Sequence, residues 1–236
     1  MVQARLQQLA RLALAAAWLV VQAPRAAMAQ PEGHQPKDSS YPLDDIERVI
    51  PAKGPVRCPT VAKVRYAGTS LRYQSSVMVA EPFAPRLAAF EAIVAEAAYQ
   101  HYGRPPKTIR HIGTYNCRRI AAWPTFLSEH GLANGIDIAG FDFAPAPKAL
   151  RASLAPALRG RFDVRVKRHW RSSAASDAVH RAFLHDLARR LVAATEVFRV
   201  VLGPGYPGHE DHMHLDCAPW RLIVVDLDPV PGVAGE

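Results

Sequence analysis

Apolar residues recur along the chain with two different periods, and these periods divide it into helices and strands. Over residues 85–102, Leu87, Phe90, Val94, Ala97 and Ala98 fall three or four positions apart, with Pro85 at the start and Gly103 and Pro105 past the end. That spacing lays one apolar stripe along a helix bounded by start and stop signals. A second stripe, Val179, Phe183, Leu187, Leu191 and Val192, predicts a helix over 176–198, with Arg181, Asp186, Arg189 and Arg190 on its outer side. Shorter runs with β-type residues or apolar residues two apart predict strands over 61–66, 76–79, 107–115, 136–143, 162–166, 212–215 and 222–225. Strands and helices do not alternate regularly, so the expected class is α+β, an antiparallel sheet with flanking helices.

The two ends carry no such periodicity. Arg5 and Arg11, an apolar run over 12–21, and Ala27-Met28-Ala29 form the pattern of an export signal, residues 1–29, cleaved after Ala29. The run falls short of the roughly 20 residues a spanning helix needs, so the cleaved chain is expected in the periplasm or secreted, with no stable membrane insertion. Residues 30–56, rich in Pro, Gly, Ser and charge, read as a flexible leader, residues 57–228 as one folded domain, and 229–236 as a flexible tail. Losing Arg5, Arg11 and Arg25 with the signal takes the net charge from +8 to +5. That modest excess suits a polyanionic partner such as a cell wall. With no Lys/Arg run and no aromatic-basic interleaving, nucleic acid is not expected as a partner.

Three cysteines, Cys58, Cys117 and Cys217, remain in the exported part, so one disulfide and one spare thiol are expected. A Cys117–Cys217 bond would join the two chemistry-bearing segments, although spacing alone does not assign the pairing.

Those segments are Ser128-Glu129-His130-Gly131-Leu132-Ala133-Asn134-Gly135-Ile136-Asp137 and His209-Glu210-Asp211-His212-Met213-His214. Two histidines and a carboxylate suffice to hold Zn²⁺ with a fourth position open, as a hydrolytic site requires. In a continuous helix His130 and Asp137 would stand roughly 10 Å apart along the axis, so the chain must turn between them. Ala133-Asn134-Gly135 supplies the small and turn-favouring residues. On a strand, His212 and His214 project from the same face. The expected ligands are therefore His130, Asp137 and His214, with His212 as general base and Asp211 or Glu210 as alternatives. Arg118 or Arg119 is the candidate partner for developing negative charge, Arg119 reading more simply as a solvated cation. His209 is a candidate pocket wall or a donor that supports a ligand from behind, and Trp123 and Trp170 are core aromatics or a groove floor. His101, His111, His169, His180 and His185 lack a partner pattern and receive no role.

Ser128-x-His130-x-x-Ala133-x-Gly135-x-Asp137 resembles the Ser-x-His-x-x-Gly-x-Ala-x-Asp signature of zinc D-alanyl-D-alanine peptidases and of their lysostaphin-type and murein endopeptidase relatives, with the two small residues exchanged. His212-Met213-His214 resembles that group's closing His-x-His. Gly113-Thr114-Tyr115-Asn116-Cys117-Arg118, Ile136-Asp137-Ile138-Ala139-Gly140-Phe141, Val201-Leu202-Gly203-Pro204 and His209-x-x-His212-x-His214-x-Asp216 together resemble the bacterial extensin-like C-terminal domain family over residues 58–220. The resemblance implies a hedgehog or D-Ala-D-Ala peptidase-like zinc fold acting on peptidoglycan or its peptide fragments. It implies His130, Asp137 and His214 as ligands, His212 as catalytic histidine and Arg118 as substrate or oxyanion arginine. Two departures stand out. The dipeptidase branch places a glutamate where this chain has Asp211, and His212 fits the endopeptidase branch instead. Relatives also carry a cysteine just before Val-Leu-Gly-Pro, where this chain has Ala193-Ala194-Thr195-Glu196, which leaves Cys217 as its substitute. The expected function is an exported zinc metallopeptidase of peptidoglycan stem peptides or cross-links. The competing expectation is a non-catalytic wall-binding scaffold that keeps the fold and a structural metal.

Overall fold

The computed structural model describes residues 41–228. The expected export signal, the first part of the leader and the tail lie outside these residues. In chain order the strands β1 (Lys63–Tyr66), β2 (Arg72–Tyr73) and β3 (Val77–Ala80) precede helix α1 (Ala84–Tyr102). Strands β4 (Thr108–Gly113) and β5 (Gly135–Phe143) follow, then the single-turn helices α2 (Lys148–Arg151) and α3 (Pro156–Arg159). Strand β6 (Phe162–Arg165), the short α4 (Val166–His169), helix α5 (Ala178–Ala193) and strands β7 (Val200–Leu202), β8 (Met213–Asp216) and β9 (Leu222–Val224) complete the described chain. No helix among the described residues is long and apolar enough to cross a membrane.

The α+β class agrees with the apolar periodicities. The main sheet runs β2-β4-β5-β8-β7-β9, with β6 also paired to β5, while β1 and β3 form a separate antiparallel pair. Its centre, β4-β5-β8-β7, is antiparallel as expected, but β2 joins β4 and β9 joins β7 in parallel. The sheet is therefore mixed at its edges. Parallel neighbours need a crossover, and α1 lies between β2 and β4 in the chain as the loop and strand after β7 lie before β9.

Helix α1 forms where the stripe predicted it: Leu87, Phe90, Val94, Ala97, Ala98 and Tyr102 are fully buried, and Gly103 closes the helix at φ 66° with its N–H on the Tyr99 carbonyl. The helix predicted over 176–198 ends earlier, at Ala193. The chain then turns so that the Phe198 ring enters the core against Phe83 and Phe90, with centroids 5.9 and 6.0 Å away. Strand β7 was not in the strand pattern, since its three residues are all buried and show no alternation.

Both long helices cover one face of the sheet. Ile136, Ile138, Phe141 and Phe143 of β5, and Met213 and Leu215 of β8, pack into the same core as Phe183, Leu187 and Leu191 of α5. Alternation then turns Asp137, His214 and Asp216 to the opposite face. At Gly140 the strand bulges: a Cβ there would lie 2.1 Å from the Val164 carbonyl oxygen, so only glycine lets β6 approach β5 this closely.

Two expectations are corrected. The disulfide joins Cys58 to Cys117, and Cys217 is the free thiol, buried, with its Sγ donating to the Val197 carbonyl. Cys217 follows β8 and packs in the main core, whereas Cys58 meets Cys117 and lies against Gly131. Part of the leader is also docked: Tyr41 and Leu43 belong to the core, and the Ile50 N–H bonds to the Thr125 carbonyl. The composition that suggested flexibility conceals enough apolar and hydrogen-bonding residues to fix residues 41–50 in place.

Candidate metal centre

His130 stands on a short 3-10 turn, Glu129–Leu132, whose N-cap Ser128 accepts a hydrogen bond from the His130 N–H. Ala133 then adopts φ 52°, the reversal that carries the chain from this turn into β5. Asp137 is the third residue of β5 and pairs directly across the sheet with His214 of β8. The turn at Ala133 and the strand register thus bring together the three residues expected as ligands.

Their inner atoms converge. His130 Nε2 lies 3.1 Å from His214 Nδ1 and 3.2 Å from Asp137 Oδ1, and His214 Nδ1 lies 2.9 Å from Asp137 Oδ1. The outer ring nitrogens explain which face turns inward. His130 Nδ1 donates to the Thr114 carbonyl at 2.9 Å, and His214 Nε2 donates to Asp216 Oδ2 at 2.7 Å. With those protons committed outward, neutral His130 and His214 present lone pairs to one point, beside a carboxylate oxygen. Three acceptors facing one another need a cation between them.

The donor set fits zinc. Four ligands at about 2.0–2.1 Å in a tetrahedron stand about 3.3 Å apart, close to the separations here, and a carbonyl or carboxylate on the outer imidazole nitrogen is the usual support of such a ligand. These three residues form the metal-ligand grouping found among the described residues. Without a metal, a proton takes the place of the cation. Burial opposes charge on His214, but Asp137 and Asp216 outweigh it and push the imidazole up to about 10. Burial likewise opposes ionisation of Asp137, and the hydrogen bonds of His130 and His214 outweigh it, holding the carboxyl well below the usual range.

Around this centre the other expected residues divide. His212 Nε2 lies 3.7 Å from Asp137 Oδ1, and His212 Nδ1 lies 2.8 Å from Asp211 Oδ1. Asp211 therefore orients His212 rather than facing the centre. Glu210 is exposed and accepts from the Gly208 N–H. The His209 ring lies tilted against His212 with centroids 4.7 Å apart, and burial drives its imidazole down to about 4. Arg118 is exposed on the loop between β4 and the Glu129–Leu132 turn and lines one cavity with His214; its carbonyl accepts from the Ser128 N–H, and its guanidinium bonds only weakly, at 3.4 Å, to the Arg119 carbonyl. Arg119, expected as a solvated charge, donates to the Pro51 carbonyl through exposed bonds.

Residues 42–223 match the sequence model of a family described as extensin-like protein C-terminus. The chain belongs to this family. No curated protein and no solved structure matches it significantly. In this extensin-like domain several supporting residues went unassigned in the sequence. The carbonyl of Thr114 leaves no mark in a side-chain pattern. Asp216 does, since it continues the period-two series His212, His214, Asp216. Glu129, beside His130, is buried and paired with Arg48 at 2.9 Å, and Asn134 donates to it at 2.6 Å. Trp123 lines a cavity beside the centre, whereas Trp170 is buried in the main core. Of the histidines without a role, His101, His180 and His185 bond to Asp186, Tyr102 and the Trp170 carbonyl.

Proposed function

We propose that this extensin-like protein is an exported zinc metallopeptidase that hydrolyses amide bonds in peptidoglycan stem peptides or cross-links, through a D-Ala-D-Ala peptidase-like fold. The observation that carries the reading is the convergence of His130 Nε2, His214 Nδ1 and Asp137 Oδ1 within 3.2 Å of one another while both outer imidazole protons are held elsewhere. Ala133 adds support: it stands where the peptidase signature carries glycine, and its φ of 52° is the conformation glycine favours.

When bound, a zinc ion supplies Lewis-acid activation of water and of the scissile carbonyl. The chain's own residues do the rest. Asp211 holds the Nδ1 proton of His212, which leaves Nε2 as the lone pair turned to the centre, ready to take a proton from the attacking water and return it to the leaving amine. Arg118, exposed beside the centre, offers a cation to the oxygen that gains charge. Three protein ligands with a base alongside suit an open site, whereas a structural zinc is normally closed by four.

The test is digestion of purified peptidoglycan by the zinc-loaded chain 30–236, with released peptides identified by mass spectrometry, beside His212→Ala. New amine and carboxylate termini from the native protein alone support the reading. Binding to intact sacculi without products would replace it with the non-catalytic wall-binding role.

A further inference from the structure

Farther along β5 from Asp137, the same face of the sheet carries a second polar site. On a regular strand an odd separation puts two side chains on opposite faces. The bulge at Gly140 adds a residue, and Asp142, between the buried Phe141 and Phe143, points away from the core as Asp137 does. At about 3.3 Å per residue the two carboxylates stand roughly 15 Å apart. An open hollow of about 660 Å³ lies over this end of the sheet, with Lys107, Arg110, Asp142, Arg161, Asp163 and Arg165 in its lining.

Strand register builds it. Thr108, Asp142 and Asp163 form one row across β4, β5 and β6, and Arg110, Gly140 and Arg165 form the next. Gly140 puts no side chain between its neighbours, and both guanidiniums reach Asp142: Arg110 Nε donates to Oδ2 and Arg165 Nη2 to Oδ1, each at 2.6 Å. Asp163 is shared by Arg165 and Arg168, at 3.5 and 3.3 Å. Both carboxylates are thus engaged, and they hold the arginines in place. Lys107 and Arg161 are exposed, and among the described residues no carboxylate pairs with either. The positive surplus is local: residues 143–176 hold eight Lys or Arg and one Asp or Glu, a surplus of seven out of a net +8 for the whole chain.

Fixed guanidiniums beside uncompensated cations suit a ligand with several anionic groups, and the planar fork of arginine matches a carboxylate. We propose that this hollow is a docking site for the wall polymer, separate from the metal centre. It holds intact peptidoglycan through free carboxylates of stem peptides neighbouring the one at the centre. The choice of peptidoglycan rests on the metallopeptidase reading, whereas the anion site rests on the hollow alone. A polymer with repeated stems fills both sites at once, while a soluble peptide cut to the residues flanking the amide reaches only the centre. The hollow therefore raises retention on the wall without touching the reacting amide.

The test sets sacculus binding beside small-peptide cleavage. Binding is read by co-sedimentation with purified sacculi, in the His212→Ala background so that the polymer stays intact. Adding Lys107→Glu and Arg161→Glu is expected to weaken binding about 10-fold at low salt and less at high salt. Converting the carboxylates of the sacculi to neutral amides is expected to weaken binding to the unaltered hollow by a similar factor. Lys53→Glu/Arg57→Glu, an equal charge change on exposed residues outside the hollow, is expected to leave binding within about 2-fold. With His212 intact, Lys107→Glu/Arg161→Glu is expected to cleave the short soluble peptide at the native rate. Equal losses from the two charge-reversed pairs, no loss from Lys107→Glu/Arg161→Glu, or undiminished binding to amidated sacculi each overturns the assignment. The two readings fail separately. Binding that depends on the hollow, without cleavage of any peptide, removes the peptidase and leaves the docking site, and cleavage with binding indifferent to Lys107 and Arg161 does the reverse.

Discussion

Asp137 and His214 face each other as register partners across β5 and β8, with Oδ1 and Nδ1 2.9 Å apart. Two of the proposed ligands are therefore held by the backbone ladder of the central sheet rather than by loops, and their spacing follows from strand pairing. We expect the chain 30–236 to retain about one zinc, and His130→Ala, Asp137→Ala and His214→Ala each to lose it in elemental analysis. Asp216→Asn keeps the shape but weakens the acceptor on His214 Nε2, and should lower zinc affinity by about 10–100-fold in chelator competition. Full retention by all three alanine variants would remove the centre.

His212 should separate binding from turnover. His212→Ala leaves the three ligands and their supports in place, so zinc content stays unchanged while kcat falls by about 10²–10⁴ on a peptide substrate. Asp211→Asn keeps the contact to Nδ1 but weakens the bias that leaves Nε2 free, and its loss should be smaller. If His212→Ala retains native kcat, another group is the base.

The docked part of the leader is tied to the ligand turn through Arg48. Its Nε meets Glu129 Oε1 at 2.9 Å, both side chains are 2% exposed, and Nη1 also donates to the carbonyls of Leu43 and Ile46. Arg48→Met strands a buried carboxylate next to His130 and should destabilise the fold by about 3–5 kcal/mol in urea unfolding. The double variant Arg48→Met/Glu129→Met should recover a large share of that loss, because no unpaired charge remains. A sum of independent losses would show that the pair is not coupled.

Glu91 makes a pH-dependent contribution far from the centre. It is fully buried on α1, where its carboxylate accepts from the N–H groups of Thr69, Ser70 and Leu71 and from the Tyr66 hydroxyl. Burial opposes its charge, but these donors outweigh it and hold the folded pKa below the ordinary 4.5. A depressed folded pKa gives stability that is fully present above the unfolded value and lost as pH falls through the folded one. The stability difference between native protein and Glu91→Gln should be about 2 kcal/mol near pH 7 and narrow below about pH 4.5. A difference independent of pH would remove the carboxylate from this account.

The long helices and the strands around the centre were legible because each is written in a local period. Leu87 to Tyr102 repeats on one helical face whatever else the chain does, and His212 and His214 lie two apart on any extended segment. Ala133-Asn134-Gly135 likewise marked a reversal between His130 and Asp137, and the reversal occurs at Ala133. Where local pattern misled, a distant partner was responsible. Residues 41–50 resemble a leader in composition, yet Tyr41 bonds Asn134 at 2.5 Å and Arg48 bonds Glu129.

Element periodicity and the residue types of the ligand set are properties of short stretches, and so the amino-acid order alone specified them. Packing between segments tens of residues apart decided the rest: the pairing of Asp137 with His214, the Thr114 carbonyl and Asp216 that turn each imidazole inward, the choice of Cys58 over Cys217 for Cys117, and the cavity among Trp123, Tyr206 and Trp220. Such contacts depend on which surfaces exclude water together, and no local period records them.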